Sequence, residues 1–352
     1  NLTVHGAMNA TGTGADKIHF TSYRDDSVGG DTNGDGLSNG QAGDWGRIYY
    51  SNTVLAFLTR LEHAKVRFAG RGNTGNIYIY QTNIAITNSE IGNSSTHGIN
   101  VYNASPTISN NVITDNIWDG IYLNAAGSAL IQGNTISNNN NGVKTDNYPT
   151  PTIDNNQIIN NADWGIKFTN TPSAPVITNN TLTGNRRNAI LPAYTVPNVA
   201  DGNTMGPNEI NGLWIRGNTR TTDLQLPILY SGEAHELNTY QIYGTLTMGS
   251  ATTLTVDPGV IVKFVDGARL DINGILTADG TVAQPIVFTS YKDDRYGGDF
   301  NLDGNASVPS NGIWGRIYFS PTAPDGVSLM DHTIVQYAGG TNDASIYAND
   351  TN

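Results

Sequence analysis

Between residues 86 and 190 the chain repeats one line of text five times. The lines open ITNSEI at Ile86, ISNNVI at Ile108, IQGNTI at Ile131, IDNNQI at Ile153 and ITNNTL at Ile177, in steps of 22, 23, 22 and 24 residues. Each line carries a second landmark: Gly98-Ile99, Gly120-Ile121, Gly142-Val143, Gly165-Ile166 and, degraded, Ala189-Ile190. A period of 20 to 50 residues marks a repeat architecture whose units cannot bury their own apolar face and must stack on neighbours. Within the lines apolar and polar residues alternate, the period of a β-strand. Ile99, Ile121, Val143 and Ile166 point inward, followed two residues later by Val101, Leu123, Thr145 and Phe168, while Asn100, Tyr122, Lys144 and Lys167 point outward.

Asparagine and glycine dominate the composition, with 44 and 40 residues of 352. That excludes a helical protein, and the regular recurrence of Ile, Val, Leu and Tyr excludes disorder. The asparagines fall in columns when the lines are aligned: Asn111, Asn134, Asn156 and Asn180 in one, Asn116, Asn139, Asn161 and Asn185 in another. Asparagine tolerates the left-handed backbone of tight corners, and its amide can bond to the same amide one coil away. A stacked structural ladder follows. The pattern resembles the right-handed parallel β-helix repeat family, the architecture of pectate lyases and many secreted surface proteins, over essentially the whole chain. The resemblance implies an all-β single right-handed parallel β-helix of about 14 to 15 coils, at ~23 residues per coil. It says almost nothing about function.

A longer repeat overlies the coils. LTVHGAMNATGTGADKIHFTSYRDD from Leu2 matches LDINGILTADGTVAQPIVFTSYKDD from Leu270, and WGRIY from Trp45 recurs from Trp314. Such duplicated segments (FTSYxDD, GGDxNxDG, WGRIY) resemble those of secreted and cell-surface bacterial or archaeal β-helix proteins. The chain divides into coils with a first acidic loop (1–76), regular asparagine-ladder coils (77–191), an irregular proline-bearing excursion (192–250) and coils with the second acidic loop (251–352), along one continuous solenoid. Both ends read as ordinary coil, which fits an excerpt from a tandem array or subunits that associate end to end.

The acidic loops carry the motif D-x-N-x-D-G, whose oxygens at positions 1, 3 and 5 and glycine at 6 form the opening half of a calcium loop. In the first copy Asp31, Asn33 and Asp35 would ligate by side chain and Leu37 by its carbonyl, with Asp25, Asp26 and Asp44 completing the shell, since Ala42 stands where a bidentate Glu is expected. The second copy offers Asp293, Asp294, Asp299, Asn301, Asp303 and the carbonyl of Asn305, with Ile313 in place of Asp44. Calcium there would pin a long loop to the stack. The bland alternative is an acidic surface turn.

A net charge of −12 argues against nucleic acid, which needs clustered Lys and Arg. No apolar run is long enough for a membrane helix. Cysteine is absent, removing disulfides, thiolate metal sites and cysteine nucleophiles. The first residue is Asn1, so any signal peptide lies outside this chain. An extracellular location is expected. No column of the regular coils holds two acids, as a glycosidase groove would need. The best groove candidate is His97, Asp119, Tyr122, Lys144, Asp146 and Lys167, and its alternative is a solvated outer sheet face. The leading expectation is therefore a non-enzymatic structural or adhesive solenoid, stiffened by calcium. A polysaccharide-active lyase or glycosidase working along the coils comes second, and a carbohydrate-binding module third.

Overall fold

Short strands of alternating residues, broken every few positions by Asn or Gly, cannot form a flat sheet. They turn corners instead, and the computed structural model describes the result for residues 1–170, 175–192, 202–231, 235–304, 306–340 and 344–349. The chain forms right-handed parallel β-solenoid and almost no helix. It separates into two units, residues 1–186 with 202–204 and residues 187–201 with 205–352.

The first unit has three parallel sheets with seven strands each, and Thr204–Met205, at its boundary, adds an eighth to one of them. Every coil contributes one strand to each sheet, as in Asp119–Asn124, Leu130–Gln132 and Thr135–Ser137. Equivalent residues of successive lines pair in register: Ile99 with Ile121, Val143 with Ile166, Ile108 with Ile131 and Ile113 with Ile136. All eight are fully buried, so the core is a set of aliphatic columns whose successive residues stack about 4.8 Å apart.

Two corners of each coil are built alike. The residue that adopts the left-handed backbone is Asn110, Gly133, Asn155 or Asn179 at one corner and Asp115, Asn138, Asn160 or Gly184 at the other, with φ between +53° and +67°. The ladder asparagine is the next residue, and it is buried. Asn111 donates to Asn134 at 3.0 Å, Asn134 to Asn156 and Asn156 to Asn180 at 2.9 Å, and Asn180 to Asn203 at 3.0 Å. The second ladder runs Asn116, Asn139, Asn161, Asn185. Corner conformation and ladder thus fall to adjacent residues.

The second unit has parallel sheets of six, five and four strands, plus an antiparallel pair, Leu229–Ser231 with Leu237–His235. The pair is an excursion within the proline-bearing stretch, but Ile210–Arg216 and Thr239–Tyr243 of that stretch pair in parallel as regular rungs. Residues 193–201 lie outside the described structure. With seven complete coils in one unit and at most six in the other, there are fewer coils than the 14 to 15 expected from length. Two long loops absorb the difference. Leu2 pairs with Ile48 and Ile286 with Thr333, so single coils there run to 46 and 47 residues. Each of these coils holds one D-x-N-x-D-G motif.

Candidate functional site

The first acidic loop joins Ile18–Phe20 to Ile48–Tyr50. It brings one carboxylate oxygen each from Asp26, Asp31 and Asp35 within 4.8 Å of one another, a triad that could hold a metal ion. The motif's glycines allow this fold: Gly34 and Gly36 take φ of +70° and +88°, and their N–H groups donate to Asp31 at 2.6 and 3.0 Å. Asn33 turns its amide towards Asp35, donating at 2.8 Å. Asp26 accepts from the Ser38 N–H through Oδ2, while its Oδ1 is buried and accepts no hydrogen bond. Leu37 sits fully exposed on the loop.

Two further carboxylates of the expected shell are engaged elsewhere. Asp25 is buried against Arg67 at 2.9 Å and accepts from Ser27 and Thr21. Burial alone would raise its pKa, but these hydrogen bonds and the Arg67 charge take it below the usual carboxylate range. Asp44 accepts from Ser22 at 2.6 Å and from the Gln41 N–H at 2.9 Å, and lies 3.5 Å from Arg24. Both fasten the loop base.

The second loop joins Ile286–Ser290 to Ile317–Phe319 and repeats the arrangement at the equivalent residues, Asp294, Asp299 and Asp303. Asp299 accepts from the N–H groups of Leu302 and Gly304 at 2.7 and 2.8 Å. Asn301 donates to Asp303 at 2.9 Å. Three side-chain oxygens here are buried without a donor: Asp294 Oδ1, Asn301 Oδ1 and Asp303 Oδ1. Burial, then the neighbouring Asp299 charge, pushes the Asp294 carboxyl up. Asp293, like Asp25, is held outside the triad, by Arg295 at 2.8 Å and Thr289 at 2.7 Å. Asn305 lies outside the described residues.

The sequence reading missed two residues beside this loop. Lys263 is wholly buried, and its Nζ donates to the carbonyls of Asp293 and Gly298 at 3.1 and 2.5 Å. Burial lowers its pKa to about 8 against the pull of Asp294, Asp293 and Asp299. Phe300, the residue after Asp299, is 3% exposed, and its ring lies 5.1 Å from that of Trp214. The available signal was a lysine inside the apolar strand Ile261–Phe264, and an aromatic residue inside a calcium-type motif.

On the outer face of the first unit, His97, Asp119, Tyr122, Lys144 and Lys167 do converge, with Asn73, Asn100, Trp118, Asn140 and Asn141, around a groove of about 380 Å³. Tyr122 pairs in register with Lys144 and Lys144 with Lys167. His97 and Asp119 are buried, with Nδ1 3.0 Å from Asp119 Oδ2 but not aligned as a hydrogen bond. Asn141 donates to the other Asp119 oxygen at 2.6 Å. The imidazole stacks on Tyr122 at 4.6 Å and meets Trp118 edge-on at 5.2 Å. Asp146 stands beside the groove, accepting from the Tyr122 hydroxyl at 2.7 Å and lying 3.5 Å from Lys144. Burial, then Asp146, drives the Tyr122 pKa up, so the phenol stays protonated. Lys144 lies 5.2 Å from the Tyr122 ring. The groove therefore offers ring faces, amides and two ammonium groups, while its one carboxylate is sequestered.

Among the described residues, no helix is long and apolar enough to cross a membrane. No curated protein and no solved structure matches the chain. Residues 59–223, which span the regular ladder coils and the groove, match the family described as the right handed beta helix region, and the protein is a parallel β-solenoid.

Proposed function

We propose that the protein is a non-enzymatic structural solenoid of the cell exterior, whose duplicated acidic loops are Ca²⁺-binding sites. The observation that carries this reading is the recurrence of one carboxylate triad. Duplicated sequence places Asp26, Asp31, Asp35 and Asp294, Asp299, Asp303 in two clusters of the same composition. Three carboxylates this close repel one another unless a cation lies between them. A hard cation that accepts six to eight oxygens at 2.3 to 2.6 Å fits carboxylates, amide oxygens and loop carbonyls better than it fits nitrogen ligands, and neither triad contains histidine. Extracellular modules bind calcium at about 10⁻⁴ to 10⁻³ M, the range expected of an exposed, incompletely caged loop. Leu37 could contribute only through its backbone oxygen.

The test is calorimetric titration of the full chain with Ca²⁺, paired with thermal melts in Ca²⁺ and in excess chelator. Saturating calcium should raise the melting temperature. At 100 times Kd the mass-action gain is about 2.7 kcal/mol. Absence of both heat and a thermal shift at ~10 mM Ca²⁺, well above the affinity range of such modules, would remove the calcium claim.

The groove favours a second reading, a polysaccharide-binding surface. Trp118 is 40% exposed beside His97, Tyr122 and two lysines, a setting in which sugar faces can stack and acidic groups can pair. Hydrolysis by paired carboxylates is less well supported, since Asp119 is buried on His97 and Asn141 and Asp146 is tied to Tyr122 and Lys144.

A further inference from the structure

The two acidic loops share a motif but not a setting. At the position of Phe300 the first loop has Thr32, which is exposed and donates to the Tyr23 carbonyl, near the base of the same loop, at 3.1 Å. Phe300 instead lies on the backbone of Gly212, so close that a Cβ there would fall 2.2 Å from the ring, and beside the Trp214 indole. Gly297 also presses on the Thr239 side chain, where a Cβ would fall 2.5 Å from its hydroxyl. From beneath, the Lys263 ammonium holds two carbonyls of the loop and lies 4.7 Å from the centre of the Phe300 ring. The second loop is thus pinned by an apolar plug and by a fixed positive charge next to its carboxylates.

The first loop has its base fastened, by Asp25 on Arg67 and by Gly40 against the Phe68 ring. Its distal part, residues 29–37, is largely exposed. Asp26, Asp31 and Asp35 form no ion pair among the described residues, and the donorless oxygens do not separate the loops, since Asp26 Oδ1 has counterparts in Asp294, Asn301 and Asp303 Oδ1. What would draw these three carboxylates together is a cation.

We propose that the first loop, residues 27–43, is the calcium-ordered site, whereas the second, residues 295–312, is held by Phe300 and Lys263 without the ion and binds it much more weakly. This rests on the calcium reading above. Lys263 supplies the second triad with one unit of positive charge from within the core, and a divalent ion must enter against it. At an effective dielectric near 20, a like charge several ångströms away weakens binding by about tenfold or more. A solenoid built from duplicated modules would in this way carry one responsive loop and one permanent loop, distinguished by the coil beneath.

Amide hydrogen exchange read by mass spectrometry on the full chain, with Ca²⁺ and with chelator, separates the loops. Peptides from 27–43 should slow at least tenfold on adding calcium, and peptides from 295–312 should not change. Asp31→Asn with Asp35→Asn should abolish the response. Lys263→Met with Phe300→Thr should confer it on the second loop and add a second binding event in calorimetry; Lys263→Met alone covers the case in which the double variant does not fold. Equal responses in the two loops would overturn the proposal while leaving the calcium reading intact. So would calcium binding with no change in either loop. Calorimetric silence would overturn both.

Discussion

Asn156 gives the sharpest test of what holds the coils together. Its side chain is 1% exposed and forms five hydrogen bonds. The amide nitrogen donates to Asn180 Oδ1 and the Ile131 carbonyl at 2.9 Å and to the Asp154 carbonyl at 3.0 Å. The oxygen accepts from both the backbone N–H and the side-chain amide of Asn134 at 2.9 Å. In Asn156→Ala the Asn134 side chain keeps the carbonyls of Ile108 and Gln132, and Asn180 Oδ1 keeps the Asn156 N–H. The Asn134 backbone N–H keeps nothing. A stranded buried donor costs about 1–3 kcal/mol, and each lost bond contributes about 1 kcal/mol net, so the substitution should cost about 3–5 kcal/mol.

Asn155→Gly is the control. Asn155 is exposed and holds the left-handed corner at φ +53°, a place that Gly133 fills in the preceding coil at +67°. Glycine takes that conformation without strain, so the change should stay within about 1 kcal/mol. Urea unfolding followed by circular dichroism measures both. Because stacked coils communicate only with neighbours, hydrogen exchange should localise the damage to the coils that contain Asn134, Asn156 and Asn180. A cost for Asn156→Ala below about 1 kcal/mol, or equal to that of Asn155→Gly, would refute the claim that the ladder stabilises the stack.

Two other outcomes are expected. Glu90 receives Lys17 and lies 2.9 Å from Lys65, and hydrogen bonds from both hold its pKa at about 2 against an ordinary 4.5. A depressed carboxylate contributes stability above its unfolded pKa and loses it as pH falls through the folded one. Wild type should therefore lose stability relative to Glu90→Gln between pH 4.5 and pH 2, and parallel acid-unfolding curves would contradict the assignment. In the groove, Trp118→Ala should weaken binding of a retained polysaccharide about three- to tenfold in affinity electrophoresis against neutral and anionic glycans. Identical mobility of wild type and variant on every glycan would leave the groove as a solvated sheet face.

Much of this fold can be read from the chain because stacking repeats every constraint. One asparagine in a loop says little, whereas Asn111, Asn134, Asn156 and Asn180 at a fixed spacing can only be a column. The acidic triads were legible for the same reason, through duplication at Asp26 and Asp294. Contacts between a loop and a coil far away in sequence were not. Asp25 and Asp44 look like ligands in a string of acids, but Arg67 reaches Asp25 from the strand Ala64–Arg67, and Ser22 at the start of the loop closes back on Asp44, which makes both part of the loop base. His97 and Asp119 were expected on the outer face, yet Asp119 shares the parity of Ile121 and Leu123 and His97 that of Ile99 and Val101. Alternation turns both inward, and at the strand edge their burial creates a partly enclosed His–Asp pair beneath the groove.

Lys263 shows why duplication of sequence does not duplicate chemistry in a solenoid. A module's loop is encoded within the module, but the floor under that loop belongs to the coils that precede it. Thr239 abuts Gly297, Trp214 receives Phe300, and Lys263 reaches two loop carbonyls, all from strands outside the repeated segment that begins at Leu270. Contacts that reach back over three coils make a loop's environment a property of its place in the stack, so two copies can diverge in ion affinity while their motifs stay the same. Substitution in the coil below, at a residue with no carboxylate and no place in the motif, is then a direct way to tune a loop that itself remains unaltered.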